Sequence, residues 1–377
     1  MKRKSDLIIV IFFVVFIYGF TIANFFVADK EFSEMENRNL AQCPQLSLAA
    51  IGTGQYMEDF ETYFTDQFAA RDVFVNIKSL SEKVMGKKIN NGIYFAEEGY
   101  LIEQLTDVND VLLDKNVEAI RTFVDKTEAE VAFAMIPGSI EINRDKLCKA
   151  LPDLNQKSII DEIYRSMEDR GIPCVDVYSY LQQHSDEDIF YRTDHHWTSL
   201  GAYYGYRAYA DTIGFTPIEL DSYEEVVQSK EFLGTLYSKA GAFWIEPDSI
   251  VTYVEDNTIT VDKIEGETIQ QGQLYDKSKL SGKDKYSMFL GGNQPLAIIR
   301  NGKDDQPKLL IIRDSYSDSM APFLTEHFSE IHMWDFRYNK ESVSDYIEDN
   351  AIEHVLICYS LDNFQEDTNI AFVLGRE

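Results

Sequence analysis

The sequence predicts an α/β fold, a mainly parallel sheet with helices on both faces; three observations lead there. Short continuous apolar runs, Val131 to Ile136 and Leu309 to Ile312, have the length of strands covered on both sides. Such runs alternate with segments of helical periodicity over 131–177 and again over 309–359, and β-α-β order of this kind builds parallel sheets. A hydrophobic fraction of 45%, with 24 Phe and 22 Tyr in 377 residues, is ample for a core.

The chain divides into three parts: residues 1–28, 29–90 and 91–377. Leu7 to Ala28 carries no charge, and its 22 residues, at about 1.5 Å each, are enough for a bilayer core of about 30 Å. Lys2, Arg3 and Lys4 before it favour a cytoplasmic N-terminus, which places the remainder outside the cytoplasm. A signal peptide cleaved near Thr21-Ile22-Ala23 is the rival. Apolar residues continue past that point, so an uncleaved anchor through residues 7–28 is the favoured reading. Residues 29–52 read as a stem. Tyr56, Met57, Phe60, Tyr63, Phe64 and Phe68 then recur at three- and four-residue spacing, an amphipathic helix whose stripe is expected to pack in a core.

Within 91–377, Gly92 to Ile102 reads as a hairpin, and 109–126 as a helix. Strand 131–136 closes at Pro137-Gly138. A helix over 156–170 and a strand over 173–177 follow, and Ile189-Phe190-Tyr191 is the next strand expected. Thr198 is a good N-cap for a helix reaching about Ile213. Residues 214–306 break the rhythm and read as a β-rich insertion. In it, Phe232 to Lys239 and Phe289 to Asn293 place glycines where a backbone can approach a ligand or simply turn. The last stretch returns to β-α-β order: strands at 309–312, 331–336 and 354–359, helices at 317–327 and 342–351.

Acidic residues outnumber basic ones 64 to 35, a formal charge of −29, which repels phosphate backbones and disfavours nucleic-acid binding. Cys43, Cys148, Cys174 and Cys358 lack the paired spacing of a zinc site. A Cys148–Cys174 bridge and buried free thiols both stay open.

The chemistry concentrates at two corners. Asp194 stands two residues before His196, just ahead of a helix start. A carboxylate there can hold one imidazole nitrogen and leave the other to take a proton from a nucleophile. Ser315 follows a buried strand and Asp314, and precedes a helix. A serine hydroxyl needs such a base, and its own N–H near a helix N-terminus can serve an oxyanion. Asn363, after a later strand, and Gly292 and Asn293 are further oxyanion candidates. Asp194, His195 and His196 are also a conceivable metal set. Adjacent histidines diverge on most backbones, however, and no H-x-x-x-H pair is present, so no metal and no cofactor are expected.

Asp194-His195-His196-Trp197 is the signature for which the bacterial DHHW protein family is named, and the chain resembles that family over nearly its whole length after the anchor. Asp314-Ser315-Tyr316-Ser317, Pro322-Phe323-Leu324, Asp335-Phe336-Arg337-Tyr338 and the stem from Ser33 to Leu40 are also similar. More distantly it resembles the SGNH/GDSL hydrolases and, within them, the alginate O-acetylation proteins of the bacterial periplasm. The resemblance implies Ser315 as acyl-accepting nucleophile, His196 as general base and Asp194 as its orienter, with His195 the spare ring. His195, Trp197, Arg313 and Arg337 are substrate-contact candidates. Two departures stand out. Arg313 occupies the place of the glycine that precedes Asp-Ser, and Arg337 stands where a second-block glycine is expected.

The implied function is an extracytoplasmic, membrane-anchored serine O-acetyltransferase or acetylesterase acting on cell-surface or exported polysaccharide through an acyl-serine. The alternative is an SGNH-like carbohydrate-binding or polysaccharide-assembly protein without activity. The resemblance also suggests a multi-pass acyltransferase membrane protein as partner.

Overall fold

A computed structural model describes residues 2–33, 38–147, 155–256 and 258–376. Cys148, and with it the expected Cys148–Cys174 pairing, lies outside them, as do positions 34–37 of the stem motif. The chain forms two compact units, one of Met1–Asn90 with Ser238–Trp244, the other of Asn91–Tyr237 with Ile245–Glu377.

The first unit is helical. Its N-terminal helix, Lys2–Phe26, contains the stretch Asp6–Phe26, with a mean hydropathy of 2.6 and the length and composition to cross a membrane. Helices Leu48–Thr53, Gln55–Asp66 and Arg71–Val84 follow. Asp66 ties the stem down: its carboxylate takes Arg38 Nη1 and Nη2 at 2.8 and 2.6 Å and the Ala41 N–H at 2.9 Å. Arg38 is the main reason its pKa falls to about 2. Ser238–Trp244 joins this unit through Asn90 Nδ2, which donates to the Ala240 carbonyl at 2.8 Å, and through Lys83 Nζ, 4.3 Å from the Trp244 ring. The aromatic stripe of Gln55–Asp66 is not core packing. Phe60 and Phe64 are 37% and 45% exposed and stack along the helix surface, with centroids 6.5 Å apart.

The second unit holds an eight-stranded sheet. Its strands are β1 (Glu130–Ile136), β2 (Cys174–Val175), β3 (Thr260–Glu265), β4 (Thr268–Gly272), β5 (Leu296–Arg300), β6 (Lys308–Arg313), β7 (Glu330–Trp334) and β8 (His354–Ser360). Their order is β4-β3-β5-β7-β6-β8-β1-β2. From β7 to β2 all pairs are parallel; β3, β4 and β5 add an antiparallel edge. The segment 214–306 is β-rich as expected, but three of its five described strands complete the central sheet. Only Val226–Phe232 and Asp248–Thr252 form a separate ribbon. The reason lies in β5: Leu296 to Ile299 is a buried apolar run that can be covered only inside a sheet, and it pairs with β7, Ala297 opposite Met333.

Helices α1 (Asp110–Val124), α2 (Gln156–Glu168), α3 (Ser199–Ile213), α4 (Ser317–Leu324) and α5 (Val343–Asn350) flank the sheet. Side chains alternate along β6, so Leu310 and Ile312 share one cluster with α1, α2 and α5. Leu309 and Ile311, equally buried, face the other way. There α3 packs on α4, with Tyr203 and Tyr206 against Phe323 at 5.5 and 5.7 Å. Ile189 to Tyr191 is not a strand: Phe190 makes a single bridge to Trp197, because the chain turns straight back on itself. The register that pairs Arg313 with Cys358 and Ser360 with Ile136 brings the carboxyl ends of β6, β8 and β1 to one edge, where ligand sites form in such sheets.

Candidate active site

Two corners of the second unit meet at this edge. The first is the loop from Tyr191 to His196. It is closed by Tyr191 N–H donating to the His196 carbonyl at 3.2 Å and Thr198 N–H to the Ile189 carbonyl at 2.9 Å. The carboxylate of Asp248 braces its turn, accepting from Arg192 N–H, Thr193 N–H and Thr193 Oγ1 at 3.0, 2.8 and 2.6 Å. Burial raises the Asp248 pKa against those three bonds.

Asp194 is buried and fully engaged. Its Oδ1 receives His196 Nδ1 at 2.6 Å and His196 N–H at 3.1 Å; its Oδ2 receives Thr235 N–H at 2.8 Å and Thr235 Oγ1 at 3.0 Å. Burial alone would raise this carboxyl, but the two imidazoles and these donors outweigh it and keep Asp194 ionised. Gly234 makes the arrangement sterically possible: a Cβ there would lie 2.3 Å from both Asp194 Cβ and Oδ2. The glycine in Phe232 to Lys239 thus serves approach to the Asp194 side chain.

The second corner follows β6. Asp314 locks it: Oδ2 accepts from Ser360 N–H, Ser360 Oγ and Asn363 Nδ2, each at 2.8 Å, and Oδ1 accepts from Tyr316 N–H at 3.0 Å. Ser315, half-buried, projects from this corner. Its Oγ lies 2.7 Å from His196 Nε2. An ionised Asp194 fixes the hydrogen on Nδ1, so Nε2 is the acceptor and the serine hydroxyl the donor. Burial first, then the neighbouring His195, hold the His196 pKa down at about 4, so the ring is neutral and able to accept a proton at ordinary pH. The ring is clamped between Tyr286, stacked at 3.8 Å and 6°, and His195 at 3.9 Å. Tyr286 OH also donates to the Ser315 carbonyl at 3.1 Å, spanning both corners.

Trp197 joins the corners from beneath. It is wholly buried, and its Nε1 donates to the Tyr316 carbonyl at 2.9 Å and Ser319 Oγ at 3.0 Å. The expectation that it contacts substrate is therefore corrected. So is that for Arg313, whose side chain is 0% exposed and lies 3.1 Å from Asp318 Oδ1. Burial lifts Asp318 to about 7 against that guanidinium. Arg337, partly exposed, is fastened to Asp335 through Nε at 2.9 Å and Nη2 at 2.6 Å. Asn293 Oδ1 accepts from both Arg313 and Arg337 at 3.2 Å. Gly292, beside it, has φ +93°, a conformation that favours glycine. Asn363, through Nδ2, already holds Asp314. The Ser315 N–H has no hydrogen-bond partner among the described residues.

His195 differs from its neighbour. It is about one-third exposed, its Nδ1 meets Thr235 Oγ1 at 2.8 Å, and it lines a cavity of about 220 Å³ with Glu103, Tyr316, Asp362, Asn363 and Glu366. Burial and Glu103 raise Asp362 to about 6. Ligand atoms of Asp194, His195 and His196 fall within 4.8 Å of one another. A metal there would have to displace His196 Nδ1 from Asp194 or His196 Nε2 from Ser315. Thr235, Asp248 and Tyr286 escaped sequence reading. Only the glycine beside Thr235 hinted at a close approach.

Residues 103–334 match the family described as DHHW protein. No curated protein matches the chain. Among solved structures, a DHHW family protein from Eubacterium siraeum aligns with a TM-score of 0.62 at 22% identity, over 77% of this chain and 96% of that one. Bacillus cereus PatB1 with a sulfonyl adduct gives 0.62 at 20%, over 76% and 99%. The O-acetyltransferase domain of Pseudomonas putida AlgJ gives 0.49 at 14%, over 76% and 99%. The first two share this chain's SGNH-like fold.

Proposed function

The chain belongs to the DHHW protein family, and from that premise we propose that it is an extracytoplasmic serine O-acetyltransferase or acetylesterase acting on cell-surface or exported polysaccharide. One observation supports this reading most: His196 lies 2.7 Å from Ser315 Oγ through Nε2 and 2.6 Å from Asp194 through Nδ1. His196 takes the hydroxyl proton as Ser315 attacks the acetyl carbonyl. The Ser315 N–H faces the developing oxyanion, with the side chains of Asn363 and Asn293 as the remaining candidate donors; the Gly292 N–H already donates to the Phe289 carbonyl at 3.2 Å. The imidazolium returns its proton to the leaving group, and an acetyl-serine remains. A sugar hydroxyl, or water in the esterase case, then repeats the sequence in reverse. Asp194 holds the tautomer throughout. His195 and Arg337 are the substrate-facing candidates, being the partly exposed ones.

Residues 7–28 serve as a single-pass anchor in this proposal, with residues 29–377 outside the cytoplasm, and a multi-pass acyltransferase membrane protein delivers the acyl group. A sulfonyl fluoride tests the site directly. One sulfonyl group, with loss of fluoride, is expected on Ser315. Folded wild-type protein that stays unlabelled, or a label that persists in Ser315→Ala, contradicts the reading and favours a binding or assembly role.

A further inference from the structure

The first unit carries an apolar face that the catalytic reading does not use. On Arg71–Val84, Val73, Ile77, Leu80 and Val84 recur at four-, three- and four-residue spacing and form one stripe, yet they are 43–79% exposed. Arg71, Lys78 and Glu82 fall on the opposite side at 100° per residue. On Gln55–Asp66, Met57, Phe60 and Phe64 form a second outward stripe, 37–66% exposed. Soluble surfaces rarely leave two ordered apolar stripes uncovered.

The ring contacts set both helices against the N-terminal helix. Phe74, beside the first stripe, meets Phe16 and Phe20 of the N-terminal helix at 6.3 and 5.3 Å, and Phe68, which follows the second, meets Phe20 at 5.5 Å. Phe20 and Phe16 lie six and ten residues before the end of that helix at Phe26, or about 9 and 15 Å back along its axis at about 1.5 Å per residue. If Phe16 and Phe20 lie among acyl chains, side chains touching them lie there too.

We propose that Gln55–Asp66 and Arg71–Val84 are interfacial helices seated in the outer leaflet, their stripes in the upper acyl layer and their polar sides turned away from it. Interfacial helices sink about 5–10 Å below the headgroups, which agrees with the position of the Phe20 contacts. The inference rests on the anchor reading, and its test separates the two. The full chain is reconstituted in phosphatidylcholine nanodiscs that contain a diazirine-tagged acyl chain, illuminated and mapped by mass spectrometry. Adducts are expected in 7–26 and also in 55–66 and 71–84. Adducts in 7–26 alone overturn the seat and leave the anchor standing; no adducts in 7–26 overturn the anchor itself. An Ile77→Asp/Val84→Asp variant should lose label in 71–84 and keep its melting temperature in detergent. A steep fall in melting temperature, or crosslinks between copies through these stripes, would show that protein covers them and would also overturn the seat.

Discussion

In the sheet-bearing unit, aromatic residues converge inward on the two corners: Trp197, Tyr191, Phe190 and Phe232 are buried, and Tyr286 stacks on His196. In the helical unit, aromatic and aliphatic side chains at helical spacing point outward, and Met57, Phe60, Phe64, Ile77 and Val84 are exposed. The difference lies in what each element has to cover. Helices α3 and α4 face a sheet whose residues alternate to both sides, so each aromatic has a partner. Gln55–Asp66 and Arg71–Val84 are flanked by a short stem, the Ser238–Trp244 segment and one long apolar helix, which leave one side of each uncovered. Periodicity therefore identifies a face but not the medium that face meets.

The sharpest test of the contrast is to remove chemistry without removing structure. His196→Ala should lower acetyl-ester turnover on the order of 10⁴-fold or more while the protein stays folded. A loss below tenfold would deny His196 the role of base. Gly234→Ala tests how tightly the buried corner is packed. A Cβ 2.3 Å from Asp194 has no room, and a loss of about 1–3 kcal/mol in denaturant titration, with reduced turnover, is expected. Trp197→Phe leaves the Tyr316 carbonyl and Ser319 Oγ without their indole donor and should cost about 1–3 kcal/mol by the same titration.

The pH profile is a subtler probe. Only neutral His196 accepts a proton, and its pKa is depressed, so kcat/KM should hold as pH falls through 6.5 and decline only toward about 4. The stability sign agrees: the unfolded ring binds its proton first, so the His196 contribution is present above 6.5 and is lost as pH falls toward 4. An acid limb at or above 6.5 would contradict the buried, neutral base. The smallest effect belongs to the other unit, where Ile77→Ser in detergent should change stability by less than about 0.5 kcal/mol.

Much of the frame was readable in the residues. Continuous apolar runs marked β1, β6 and β8, and the Asp-His and Asp-Ser pairs marked the corners that the fold sets within hydrogen-bonding distance. What escaped is held together by contacts distant in sequence. Thr235 and Asp248 brace Asp194 and its loop from about 40 and 55 residues away, with no spacing to betray them. β5 looked like part of an insertion because its partner β7 comes later and runs antiparallel. Trp197 read as a substrate-contact candidate, since local sequence does not reveal that α4 covers it. Arg313 is polar by type but is buried because Asp318 meets it there.

The most direct test of the central claim is intact-mass analysis of the full chain after incubation with an activated acetyl ester, alongside Ser315→Ala and His196→Ala. One acetyl group on wild type, mapped to Ser315, absent from both variants and released when a glycan acceptor is added, is the predicted result. A folded wild-type protein that takes no acetyl group, or one that takes it equally in Ser315→Ala, would contradict it.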